Sequence, residues 1–411
     1  MRKLHWLIMA LYFCQCGGAL ADVTWNAGAG YRNVVQLFDD GLGTKDANGK
    51  DSSVTNRKRW QYRALIGPSE TRESLDWGVE LRTQPSGLVN TDWVSSGNNL
   101  DLHPAMSLAY ARLHGKVWGG TWAVTLGRQR NAILYDDVAQ TLYGNPVRWD
   151  GFGWNFQCGN FGLNFAQYVF GATNNGVAGT STYSLTDSSQ SVANTQSHFA
   201  VLYAFQPYLK IPISTDILST LALGFYNWSG VGGNNASGFF DNAVHAGTPG
   251  TVGDVTPVSL DNARQWHLLS DTTLPYDFRF VGEVVRNKAV VYGSRLMAAS
   301  PLTNADRTSF ALSLVVGRPK KAGDLSFQYS YANKGIGSVF GTLTTEDIAA
   351  DNISHLFELR YLPVDTLSLA ARLQYHREKA KLGGDGQPLG TPYNGREETQ
   401  RRIELNAQIQ I

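Results

Sequence analysis

The segment Leu75-Asp76-Trp77-Gly78-Val79-Glu80-Leu81-Arg82 sets four large apolar side chains against Asp76, Gly78, Glu80 and Arg82 at strict period two. An extended strand turns alternate side chains to opposite faces, so one face here carries three charges while the other is wholly apolar. A soluble sheet rarely needs so sharp a contrast. A strand standing between lipid and a wet lumen does.

The pattern recurs along the chain. Phe152, Trp154 and Phe156 alternate with Gly153, Asn155 and Gln157, and Leu325, Phe327, Tyr329 and Tyr331 with Ser326, Gln328 and Ser330. Near the end, Leu367, Leu369, Ala371, Leu373 and Tyr375 alternate with Ser368, Ala370, Arg372, Gln374 and His376. The last strand sets Ile403, Leu405, Ala407, Ile409 and Ile411 against Glu404, Asn406, Gln408 and Gln410. No helical periodicity of similar strength competes.

The connections carry independent information. Short polar turns fall near 67–74, 115–120, 159–160, 207–215, 274–277, 319–323 and 363–365. Long segments separate them at 39–59, 84–104, 131–149, 172–197, 228–262, 288–307, 334–352 and 379–399. Short turns on one side and long loops on the other are the rhythm of an outer-membrane barrel, with the short ones in the periplasm. Seven turns and eight loops predict an all-β, transmembrane, antiparallel up-and-down β-barrel of about sixteen strands, both termini periplasmic.

The chain begins with Arg2 and Lys3, an apolar run from Leu4 to Phe13, and Ala19-Leu20-Ala21. This is a signal-peptide pattern, with cleavage expected between Ala21 and Asp22, leaving a barrel domain at 22–411. Cys14 and Cys16 leave with the peptide. Cys158 then stands alone, so no internal disulfide forms, and packing within a strand is its expected role. Lys plus Arg total 35 against 34 Asp plus Glu, which gives no electrostatic case for nucleic acid. Beyond the signal, no apolar stretch is long enough for a membrane-spanning helix. No separate segment for a plug precedes the first strand.

Four segments, DWGVELRT from Asp76, LGRQ from Leu126, DGFGWNFQ from Asp150 and FQYSYANKG from Phe327, together with the alternating C-terminal strand, carry a resemblance to a family. The chain resembles a branch of the sixteen-stranded outer-membrane porins of Gram-negative bacteria over essentially its whole mature length. That resemblance implies passive diffusion of small hydrophilic solutes and ions, a third extracellular loop folded into the lumen, and often a homotrimer. Outer-membrane lipid and lipopolysaccharide become the surroundings, and no cofactor or metal is implied. One departure is Ile411, where such porins usually end in phenylalanine.

In a pore, the chemistry resides in the lining. Strand parity turns Asp76, Glu80, Arg82, Glu358, Arg360, Arg372, His376, Arg402 and Glu404 inward. An Arg facing lipid near the midplane costs about 2–4 kcal/mol, which favours the lumen. Any one of these residues could instead belong to an ion pair along the inner wall. The third loop supplies Asp136, Asp137 and Arg148 as constriction candidates, with the two acids expected to face basic residues across the lumen. Trp25, Tyr31, Trp60, Tyr110, Trp149, Trp228 and Trp266 sit near strand ends, where aromatic girdles form; stacking on sugars is the other use of such residues. No HExxH, GxSxG or phosphate-loop motif is present. A diffusion pore is therefore the expected function, with a barrel-borne enzyme, or an adhesin working through its loops, as the alternatives.

Overall fold

The computed structural model describes residues 23–38, 44–45, 51–52, 57–84, 94–95, 103–140, 142–143, 147–172, 198–229, 263–289, 304, 307–335, 337–339, 352–378 and 399–410. The signal segment with Ala21 and Asp22, and most of the long connections, lie outside them.

Sixteen long strands make the wall. They are β1 (Thr24–Phe38), β2 (Arg57–Thr71), β3 (Leu75–Gln84), β4 (His103–Val117), β5 (Gly120–Gln129), β6 (Trp149–Cys158), β7 (Phe161–Ala172) and β8 (His198–Pro212), followed by β9 (Leu218–Ser229), β10 (Arg264–Leu274), β11 (Phe278–Asn287), β12 (Thr308–Val316), β13 (Leu325–Asn333), β14 (Asn352–Val364), β15 (Leu367–Glu378) and β16 (Thr399–Gln410). Each pairs antiparallel with its neighbours in sequence. The first also pairs with the last, from Gly28 opposite Gln410 to Phe38 opposite Gln400, which closes the sheet. Closure leaves no edge whose N–H and C=O groups would face hydrocarbon unpaired.

All seven short connections fall at one end, as expected. The turns depart most from the sequence reading at two places. The first turn is only 72–74, because Gly67 and Pro68 continue β2 opposite Asn26 and Trp25 of β1. Likewise Pro207 lies within β8 opposite Leu163, and the register with β9 skips Gln206 and Pro207, so the missing proline N–H interrupts one ladder only.

Side-chain parity follows the sequence closely. Leu312, Leu405, Leu268 and Leu223 project outward and are exposed on the isolated barrel, while Ser313, Glu404, His267 and Ala222 point inward and are buried. The outward set is the face that lipid would cover. Tyr31 and Trp60 stack on that face with centroids 5.4 Å apart. No helix among the described residues is long and apolar enough to cross a membrane.

The inner wall departs from a simple polar lining on one side. Ala166 and Tyr168 of β7, Leu202 and Ala204 of β8, and Tyr226 and Trp228 of β9 are inward and fully buried, as is Val285 of β11. Both faces of β8 and β9 are therefore largely apolar, which accounts for their weak alternation. The aromatic expectation is corrected for three residues: Trp149 and Trp228 are 1% exposed and point inward, and Tyr110 of β4 borders the lumen, whereas Trp25, Tyr31, Trp60 and Trp266 remain on the outside. Cys158 is also corrected, being exposed at the end of β6 beside the 159–160 turn.

The parity assignment has a direct consequence for stability. Leu312 is outward on β12 between Gly282 and Tyr331, so Leu312→Arg is expected to cost about 2–4 kcal/mol if that position lies near the bilayer midplane. Denaturant unfolding from lipid vesicles measures this cost, and an unchanged midpoint contradicts the outward assignment.

Candidate functional site

The apolar inner wall is covered by the connection between β5 and β6. Ile133, Leu142, Tyr143 and Val147 pack onto the inward residues of β6 to β9 and β11. Leu134 packs on the cluster of Ala222, Leu269 and Val281, and Ala139 on Ala311 and Ala332. The Tyr143 ring meets Trp149 edge-on at 4.6 Å, an arrangement adding about 0.5–1.5 kcal/mol beyond the area it buries. The loop thus lies inside the barrel, against the β6 to β13 side.

Its backbone is held by polar groups placed for it. Asn155 donates to the Ala132 carbonyl at 2.9 Å, while the Tyr168 hydroxyl accepts the Ala132 N–H at 2.8 Å. Gln206 clasps Leu134 twice, accepting its N–H and donating to its carbonyl, both at 2.8 Å. Such bonds matter because a buried, unsatisfied peptide group costs about 1–3 kcal/mol. Gly153 makes room for the loop: a Cβ there would stand 2.9 Å from both the Ala132 methyl and Gln129 Oε1. The segment after β13 follows a similar course, with Gln265 donating to the Ser338 carbonyl and Asn287 to that of Gly337.

Asp136 requires correction as a lumen-facing acid. It is fully buried, and its carboxylate is turned back to the loop and wall, accepting from the Val138 and Ala139 N–H groups and from the Ser313 hydroxyl. Its own N–H donates to Glu283, whose same oxygen lies 2.8 Å from His267 Nε2. The Tyr226 hydroxyl sits 2.8 Å from the other nitrogen of that ring. Burial first, and the Glu283 carboxylate second, raise the Asp136 carboxyl from 3.8 to about 7, against the three hydrogen bonds that lower it. Asp137 has an exposed side chain and lies 2.9 Å from Arg279, which also makes two bonds to Asp271.

The opposite side of the lumen is open. A cavity of about 1010 Å³ lies there, bounded by β1 to β6, β14 to β16 and the start of the loop. Of the inward residues foreseen from parity, Glu80 and Arg360 line it, as does Arg148 of the constriction set, which is held by Ser107 at 3.1 Å and lies 3.9 Å from Glu80. The others are embedded in the wall around it. Asp76 binds Arg112 and His114; Glu358 binds Arg360 at 2.6 Å and Arg372 at 2.7 Å; Glu404 faces Arg32, Arg372 and Arg402. Arg82 and His376 are buried, the latter 3.3 Å from Gln374. Arg63, Arg112, Arg130 and Lys320 also border the cavity, and of these Arg63, Arg112 and Lys320 were not singled out from sequence. Arg63 was within reach, since Gln61, Arg63 and Leu65 alternate with Trp60, Tyr62 and Ala64. Lys320 was not, because it stands in a turn with no periodicity to read.

No family model and no curated protein matches the chain by sequence. Among solved structures, the high-pH structure of Pseudomonas putida OprB superposes over 97% of this chain and 97% of its own, with a TM-score of 0.52 at 9% identity. The chain has the porin fold. Two variants of the Rhodopseudomonas blastica porin align over 95% of this chain and 100% of theirs, with TM-scores of 0.42 and 0.41 at 10% and 9% identity. Within this porin fold, the described residues hold no group of three or more His, Cys, Asp and Glu arranged to bind a metal ion.

Two outcomes test the docking of the loop. Because the folded Asp136 value lies above the usual one, its contribution to docking is complete below about pH 3.8 and is lost as the pH rises through about 7. Amide hydrogen exchange at 133–140 is expected to accelerate above neutrality, and Asp136→Asn to remove that dependence; identical pH profiles contradict the assignment. Gly153→Val is expected to open the same segment to protease at every pH while the barrel remains intact.

Proposed function

We propose that the chain forms a water-filled pore in the outer membrane of a Gram-negative bacterium, through which small hydrophilic solutes and ions diffuse. The observation that carries this reading is the open half of the lumen: the inward loop occupies one side, and a cavity of about 1010 Å³ with a largely polar lining remains on the other. A closed barrel with apolar residues outside and charged ones inside meets the physical requirements of such a pore.

In this reading, Arg148 and the neighbouring loop backbone form the narrow section, facing the wall that carries Arg63 and Glu80. Asp136 acts beneath that section as an anchor rather than as a lining charge. Asp137 faces lumen water, with its charge shared by Arg279. Glu358, Glu404, Arg372, Arg402 and His376 serve as the stiff polar backing of the lining. The termini face the periplasm, and residues 1–21 are removed on export.

Purified protein in a planar bilayer is expected to give stable, stepwise currents that scale with salt concentration. Inserted barrels that carry no current would overturn the pore reading.

A further inference from the structure

The solute class is written in the charge of the open half-lumen. Six basic side chains border the cavity: Arg63 on β2, Arg112 on β4, Arg130 and Arg148 at the two ends of the inward loop, Lys320 in a short turn, and Arg360 on β14. The acidic residues bordering it are Glu80 and Asp365. A water-filled cleft dominated by one sign of charge, with low-dielectric walls, concentrates the opposite ion.

The wall behind the cavity does not cancel this excess. Its carboxylates Asp76, Glu358 and Glu404 pair with Arg112 and Arg360 of the cavity border and with Arg32, Arg372 and Arg402 of the wall itself, so three wall carboxylates are matched by three wall guanidinium groups and the surplus at the border stands. Guanidinium groups keep their charge at every physiological pH, so the imbalance persists. Nor does the loop supply an acidic counter-wall. The carboxylate of Asp136 is sealed into the packing, Asp137 is engaged by Arg279, and the charges that the loop sets at the cavity edge are Arg130 and Arg148.

Resting on the pore reading above, we infer that the channel prefers anions, and that its half-lumen serves as a binding path for small oxyanions such as carboxylates and phosphate. The forked donors of arginine match the paired oxygens of these groups. Their distribution from the loop ends to the turn at Lys320 offers successive weak contacts, which conduction requires, rather than one deep well.

The test uses the intact barrel in a planar bilayer with a potassium chloride gradient at low ionic strength. The reversal potential is expected to show chloride favoured over potassium by about threefold or more at 0.1 M, where the Debye length is about 10 Å. Inorganic phosphate added to one side is expected to reduce the chloride current in a saturable manner. The double variant Arg130→Glu and Lys320→Glu changes the cavity border from six basic and two acidic residues to four of each, and is expected to abolish the preference in a barrel that still conducts. Asp137→Asn, by contrast, is expected to leave anions favoured. Cation preference in the unaltered protein, or an anion preference unchanged by the double variant, overturns the inference. Absence of any current instead fails the pore reading on which it rests.

Discussion

The structure depends on one constraint: in hydrocarbon, a backbone N–H or C=O finds no partner except another backbone group. Sixteen strands meet it by pairing in sequence order and then pairing the first with the last, so that Gly28 to Phe38 face Gln400 to Gln410. Once the sheet is closed, every side chain is assigned to lipid or to lumen by parity alone. A change of register by one residue would turn Arg372 and Glu404 to the membrane and Leu373 and Leu405 to water. The charged inner face therefore fixes register as well as lining a path.

Within that cylinder, two kinds of inner wall divide the labour. The wall from β14 through β16 to β3 is polar and laced with arginines that share carboxylates. The side from β7 to β11 is apolar enough to form a core, and it is covered by residues 131–140, 142 and 143, whose backbone groups are met by Asn155, Tyr168, Gln206 and Glu283. The loop is thus bound as a core element, and its position is fixed by packing and hydrogen bonds together. At Asp136, where two acidic side chains meet below the surface, the seat becomes sensitive to protons.

Most of the barrel was legible because the lipid face imposes a period-two rule that no soluble alternative satisfies as well. Leu75 to Arg82 and Ile403 to Gln410 show it plainly. The inward position of Glu80, Arg360 and Arg148 followed from parity or from their place in the third loop. The burial of Asp136 was not legible, because it depends on Glu283 and Ser313, which are 147 and 177 residues away in sequence. Trp149 and Trp228 were misplaced for the same reason. Near a strand end, an aromatic reads as an interfacial anchor unless the loop that covers it is known. The weak alternation of β8 and β9 was itself the signal of that cover, since a strand with two apolar faces must have something dry on each side.

That double-faced wall means the lumen cannot be widened by shortening the loop alone. Trimming residues 131–143 would expose Leu202, Tyr226, Trp228 and Val285 to water inside a cylinder, a surface more inclined to capture detergent or fold another segment inward than to conduct. The loop and the inner faces of β7 to β11 behave as a matched insert, and any redesign of the aperture has to recast both together.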